Sequence, residues 1–380
     1  MHSSHFKKRN KISDRDRRRE ALEITRSLDR AQLLADLRQL AETELSGASD
    51  GRRSRFRQEG RVTLTEKLMY PDWFLSIPEN FRVEWMVQMR PAGRRVIATI
   101  REGILRVHSA KNGKFMAEFP INQGLLCLGR LTVLDGVLDE SGNFFVLDVL
   151  FWDGAEIADC DAECRHFWLY SRFSEVSEIS EITGNFRIST IRYIGPVDAT
   201  AENISAVYAG DGKFIIPEFP QSRNFHTDSL LFMHKSAVYS SGLSALYLQW
   251  RDGKICKFPI DTADDTGESI PVAQAVVLKA KRRGTSVVFK TWDSMKLAKL
   301  NEQESESVAS LFKVDEASCL VRGLIDGVDE EDTIRLRNFR AIERLSSVRK
   351  YPDSLGRILT QAKFREFGQP YVSIEQLCSR

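Results

Sequence analysis

Long apolar runs are missing from this chain of 380 residues. Nothing in it approaches the ~18 consecutive apolar residues that a membrane-spanning helix needs, so no span is expected. Cysteine is sparse: six, at Cys127, Cys160, Cys164, Cys256, Cys319 and Cys378. That number over this length does not make a disulfide framework and suits a soluble protein of a reducing compartment. An excess of either charge is also missing, because 55 basic and 53 acidic side chains leave a net charge of only +2. A bulk nucleic-acid coat would be more basic, so recognition of nucleic acid has to be local. The first residues, Met1 to Lys8, carry charge with no apolar stretch behind it, and no secretory signal is expected there.

What is present is a large apolar complement, 42% of residues with 22 Phe and 6 Trp, enough for one large core or two medium ones. Residues 1–45 stand apart as a basic arm. Lys7, Lys8, Arg9, Lys11, Arg15, Arg17, Arg18, Arg19, Arg26 and Arg30 are interleaved with five acids. Ser13 with Asp16 offers a capping box, and Leu33, Leu37 and Leu40 recur at helical spacing. So thin an apolar face does not fold alone, but its arginines can order against an acidic groove. By composition the same arm suits a solubilising tail or a general RNA-binding arm. Residues 46–65, rich in Gly, Ser and Arg, read as a flexible basic linker.

From residue 66 the pattern turns to strands. Val83, Trp85, Val87 and Met89 alternate, and Pro91-Ala92-Gly93 breaks the run. Further strands are expected at Val96–Ile100, Ile104–Val107, Leu131–Leu134, Leu230–Met233 and Leu246–Leu248. A hairpin turn is expected at Lys111–Lys114. Phe144–Phe151, apolar on both faces, predicts a central strand covered on both sides. Helices are few before residue 290. The fold class expected is α+β, with mostly antiparallel sheets over residues 66–260 behind a helical arm.

Several short motifs in this region resemble the cap-binding domain of the snurportin family, adaptors for trimethylguanosine-capped RNA particles. They are Asp72-Trp73, Glu84-Trp85, Pro91-x-Gly93-x-Arg95, Lys111-x-Gly113, Leu147-Asp148-Val149, Trp152-x-Gly154, Asp159-Cys160 and Phe167-Trp168. Leu230-Leu231-Phe232-x-His234-Lys235, Tyr239-Ser240 and Trp250 continue the series. Each is soft alone; their order and spacing carry the resemblance over roughly residues 5–258. It implies a nucleotidyltransferase- or guanylyltransferase-like fold that binds the cap of small nuclear RNAs. It also implies an arm for importin β on Lys7, Lys8, Arg9, Arg17, Arg18, Arg19, Leu37 and Leu40. The implied partners are capped snRNA with its snRNP core and importin β, with an exportin as an open third. The implied location is shuttling between cytoplasm and nucleus, with no membrane association.

A methylated guanine cap is a flat cation carrying a triphosphate, so it calls for aromatic faces and positive charge. The resemblance assigns Trp250 as the stacking platform, Trp73 to the cap methyls, Tyr70 to the following nucleotide, and Lys111 and Arg95 to contacts with the cap and its phosphates. Arg90 stands where the family has a cysteine and offers a further phosphate contact. Pro71 replaces a serine that contacts the guanine edge. Trp85 and Trp168 read as core.

The related enzymes attack a nucleotide with the lysine of Lys-x-Asp-Gly; here the stretch is Arg90-Pro91-Ala92-Gly93. A guanidinium stays protonated and is a poor nucleophile. Leu134-Asp135-Gly136-Val137 has valine where those enzymes carry a carboxylate, and Asp228-Ser229-Leu230-Leu231-Phe232 keeps a trace of a third motif. Binding without catalysis is therefore expected, with no cofactor. An active guanylyltransferase- or ligase-like enzyme and a general RNA-binding scaffold are the alternatives. Cys160, Cys164 and His166 lack a fourth ligand, so no metal site is expected. Residues 261–380 form an extension of unassigned role. It contains a basic turn at Lys279–Gly284, a strand at Val287–Phe289 and helical spacing over Ser307–Leu324 and Thr333–Val348, where Leu336, Phe339, Ile342 and Leu345 recur every three residues.

Overall fold

The computed structural model describes residues 16–20, 22, 68–110, 113–121, 129–175, 190–208, 213–214, 225–257, 260, 273–299, 302–314, 318–330, 334–345 and 351–379. Lys7, Lys8, Arg9, Leu37, Leu40 and Lys111 lie outside them, as does the linker.

The first strands in chain order are β1 Met69–Trp73, β2 Trp85–Pro91, β3 Arg94–Arg101, β4 Ile104–Ser109, β5 Phe115–Pro120, β6 Thr132–Leu138 and β7 Asn143–Trp152. Next come β8 Ala155–Glu156, β9 Thr190–Tyr193, β10 Val197–Asp198, β11 Lys213–Phe214, β12 Phe225–His234 and β13 Gly242–Trp250. The last set is β14 Gln274–Arg283, β15 Ser286–Lys290, β16 Lys296–Lys299, β17 Cys319–Ile325, β18 Gly327–Asp329, β19 Arg335–Arg337 and β20 Arg340–Arg344.

Two sheets face each other in the central region. One runs β1-β13-β12-β2-β10 with β11 against β12; the other runs β5-β4-β3-β6-β7-β8 with β9 against β7. Pairing is antiparallel except β1 with β13 and β7 with β9. Between the sheets lie Met86, Ile97, Val133, Val137, Leu231 and Tyr247. The chain passes from the first sheet to the second at Pro91-Ala92-Gly93. A Cβ on Gly93 would come within 2.5 Å of the Leu138 carbonyl oxygen, so only glycine permits this crossing. All ten residues of β7 are buried, as an apolar run on both faces requires. Val83 departs from the strand pattern: it is 70% exposed in a one-turn helix, Phe81–Glu84, that precedes β2.

A buried ion pair ties the second sheet to the helix Ala162–Ser174. Arg165 donates from Nε and Nη2 to the two Asp148 oxygens at 2.9 Å each, and from Nη1 to the Cys160 and Ala237 carbonyls. Burial disfavours the Asp148 charge, but Arg165 outweighs it and holds the carboxyl below its ordinary value.

Residues 273–345 form a separate five-stranded sheet, β16-β15-β14-β17-β20, with the helix Glu302–Phe312 inserted between β16 and β17. Among the described residues β16 and β20 are its two edges. Much of the helical spacing expected here is strand instead. Ser307–Leu324 is divided between the helix and β17, and Leu336 and Ile342 sit on β19 and β20. A turn at Asn338, in the left-handed region at φ 50, separates those two strands and creates the three-residue recurrence. The helix Leu355–Phe367 packs its Ile358 and Leu359 into this unit's core.

Arg165→Ala leaves Asp148 buried without its partner and is expected to cost about 3–5 kcal/mol in urea unfolding. Replacing both residues with apolar side chains should recover most of that loss.

Candidate functional site

Tyr70 and Trp73 sit half-buried on β1, at the lip where the paired sheets meet the C-terminal unit. Tyr70 belongs to an aromatic trio that local sequence did not disclose. Its ring centroid is 5.3 Å from Trp292 and 5.8 Å from Tyr351, while Trp292 and Tyr351 stack at 4.3 Å with an interplanar angle of 9°. Each of the three rings comes from a different part of the chain, so no local spacing could have grouped them.

Arg95, on β3, lies over the Tyr70 ring with its guanidinium carbon 4.8 Å from the centroid. It donates from Nε to Asp135 Oδ1 at 3.0 Å, and from Nη2 to Asp135 Oδ2 and the Met69 carbonyl. The Tyr239 hydroxyl donates to the same carboxylate at 2.8 Å and accepts from the Met69 amide. Burial works against the Arg95 charge; Asp135 outweighs it and keeps the group protonated well above the ordinary range. Arg95 is thus a brace between β1, β3 and β6.

Arg90, near the end of β2, donates to Asp228 Oδ2 at 2.8 Å, and Arg251 donates to Oδ1 at 2.8 Å. Two guanidinium groups around one buried carboxylate leave a net positive cluster. Its members come from the Arg90, Asp228 and Trp250-Arg251 stretches of the sequence. The role of Arg251 could have been inferred from its place beside Trp250.

Trp250 requires a correction. It is 1% exposed, in the core on the outer face of the first sheet, among Phe74, Phe232, Val372 and Leu377. Its indole N–H donates to the Val372 carbonyl at 2.8 Å. A ring packed on both sides offers no stacking face in this conformation. The C-terminal segment that covers it lies more than a hundred residues along the chain.

The arm enters the site through helical residues 16–20 and 22. Arg17 pairs with the buried Asp72 carboxylate and lies 3.8 Å from Asp293, while Leu22 packs on the core between the sheets. Arg18 is half-buried and Arg19 exposed. Asp72 is shifted upward by burial, with Arg17 opposing that shift. Gly356 abuts this point: a Cβ there would sit 2.9 Å from Asp72 Oδ1 and 3.0 Å from Trp73 Cβ.

Among the described residues no group of three His, Cys, Asp or Glu is arranged to hold a metal. His166 points inward, with Nδ1 3.0 Å from the Tyr193 hydroxyl, and burial lowers its pKa to about 4. His234 lies edge-on to Trp85, and its Nδ1 accepts from the Ser236 amide. Val137 is fully buried between the sheets, with no polar atom to offer a nucleotide.

Residues 67–251 match the family described as Snurportin1, m3G cap-binding domain. The chain therefore contains a region of the kind that its soft motifs suggested, and the match ends one residue past Trp250. The structure is also similar to solved DNA-ligase chains. One is a mycobacterial DNA ligase D complexed with ATP and MES, at 14% identity and TM-score 0.34 over 76% of this chain and 98% of that one. Another is the ligase domain from M. tuberculosis LigD, at 13% identity and TM-score 0.32 over 75% and 95%. A third is a Lig E DNA ligase, at 12% and 0.32 over 73% and 99%. The snurportin-type region is mixed α+β with large antiparallel sheets, as expected from its sequence.

His166 stays neutral when folded but titrates near 6.5 when unfolded, so its contribution to stability is present above pH 6.5 and lost as pH falls toward 4. The loss over that window is on the order of 3 kcal/mol. His166→Phe should flatten that part of the stability–pH curve measured by urea titration; an unchanged slope contradicts the assignment.

Proposed function

We propose that this protein binds a methylated guanosine cap without turning it over, and uses its basic arm to link capped small nuclear RNA particles to importin β. The observation that carries the reading is the match of residues 67–251 to the snurportin cap-binding family. The geometry supports it with the Tyr70 ring beside the Arg95 guanidinium, a half-buried Trp73 on the same strand, and a second positive cluster where Arg90 and Arg251 share Asp228. Stacking of a base on such a ring contributes about 1–3 kcal/mol. The sequence motif supports binding without turnover: Arg90 stands where the related enzymes carry the attacking lysine and donates to Asp228, and a guanidinium is a poor nucleophile.

The arm fits the same scheme. Arg17 already pairs with a carboxylate on the folded region, and Arg18 and Arg19 flank it. An acidic groove on importin β would offer carboxylates to these arginines and to Lys7, Lys8 and Arg9, and apolar surface beside it would take Leu37 and Leu40. An adaptor of this kind shuttles between cytoplasm and nucleus, with an exportin returning it.

Titration of intrinsic tryptophan fluorescence with trimethylguanosine and monomethylguanosine caps is expected to show tighter binding of the first. Equal millimolar responses to both would contradict cap specificity. Tyr70→Ala and Trp73→Ala should each weaken the trimethyl cap about tenfold or more. Incubation with labelled GTP and magnesium should give no adduct that survives denaturation; a covalent lysine–guanylate would make the protein an enzyme.

A further inference from the structure

The β14–β15–β16 face of the C-terminal sheet presents cations to solvent. Lys279 on β14 pairs across to Lys290 on β15, and Lys290 pairs to Lys296 on β16, so three ammonium groups stand side by side on adjacent strands. Lys281 and Arg283 continue the row along β14 on the same face, two and four residues beyond Lys279. Lys279, Lys281, Arg283 and Lys296 are exposed and Lys290 is half-buried. None of the five is paired with a carboxylate among the described residues. The contrast with Arg90, Arg95, Arg165 and Arg251, each held by an aspartate, is direct. Like charges directly opposite on neighbouring strands repel, so this face is a standing electrostatic cost that a polyanion relieves.

The strip also has a defined end. Beyond Lys290 the segment 351–353 takes the place of β15 beside β14: the Asp353 amide donates to the Val277 carbonyl and its carboxylate accepts from the Val277 amide, both at 2.7 Å. That segment brings Tyr351 onto Trp292, two residues past Lys290 and within ~7 Å of it along the chain. Tyr70, on the lip of the cap cleft, completes the trio. Aromatic faces followed by an unpaired cationic track suit single-stranded nucleic acid, whose bases stack while its phosphates meet the charges. An acidic protein segment would use the charges and leave the rings idle.

We propose that the RNA following the cap leaves the cleft over Tyr70, Trp292 and Tyr351 and lays its phosphates on Lys290, Lys279, Lys296, Lys281 and Arg283. This rests on the cap-binding reading and extends it to a second, sequence-independent site on the C-terminal unit.

The test compares the full chain with the triple variant Lys279→Gln, Lys290→Gln, Lys296→Gln against a capped 12-nucleotide RNA, the same RNA uncapped, and a cap dinucleotide. The variant should bind both 12-mers at least about tenfold more weakly at low salt, and its log–log salt slope should fall by about 2. Cap dinucleotide affinity should stay within about twofold, and Tm should be equal or higher because a repulsion is removed. Unchanged 12-mer affinity and slope would overturn the proposal. So would poly-glutamate competing as well as RNA at equal charge, which would assign the face to an acidic protein. If neither form of the protein binds cap dinucleotide while the uncapped 12-mer still loses affinity in the variant, the cap reading fails and this site stands.

Discussion

The geometry around Tyr70 hangs on one carboxylate. Asp135, buried between the two sheets, takes Arg95 in a two-point contact and the Tyr239 hydroxyl as well. Through Arg95 and Tyr239 it also fixes the Met69 backbone, so β1 is held at both its carbonyl and its amide. That anchor also bears on Tyr70, whose ring lies under the Arg95 guanidinium as well as against Trp292 and Tyr351. A charge kept well above its ordinary pKa by its partner thus positions an uncharged ring. The same logic recurs at Asp228, where Arg90 and Arg251 converge on one acid. At Asp135 one cation balances one anion, whereas at Asp228 two cations share one anion, so a chain with a net charge of only +2 carries local positive charge there.

Much of the central region was legible in the sequence because its signals are local. The Pro91-Ala92-Gly93 break marks the crossing between sheets, and the apolar run at Phe144–Phe151 marks a strand covered on both sides. What was not legible is non-local. Trp250 looks like an available ring until Val372 and Leu377, far along the chain, close over it. Trp292 and Tyr351 look like scattered aromatics until the fold stacks them beside Tyr70. Leu336, Phe339, Ile342 and Leu345 imitate one helical stripe, yet Asn338 turns the chain between two short strands. Spacing alone does not separate those cases.

The C-terminal unit lies outside the region that matches the snurportin cap-binding family. The family match stops at residue 251, and residues 273–345 contribute a five-stranded sheet whose outer face carries lysines with no carboxylate partner among the described residues. The arm reaches the junction of the two units, because Arg17 bridges toward Asp72 on β1 and Asp293 just after β15. Tyr70 and Trp292, in edge-on contact, stand at this same junction.

The most direct test of the central claim is the structure of the complex with a trimethylguanosine cap dinucleotide. The methylated base should lie at the lip against Tyr70 or Trp73, with its phosphates toward Arg95 and the Arg90–Arg251 pair. A base bound away from both rings, or a guanylate joined covalently to a lysine, would contradict the account.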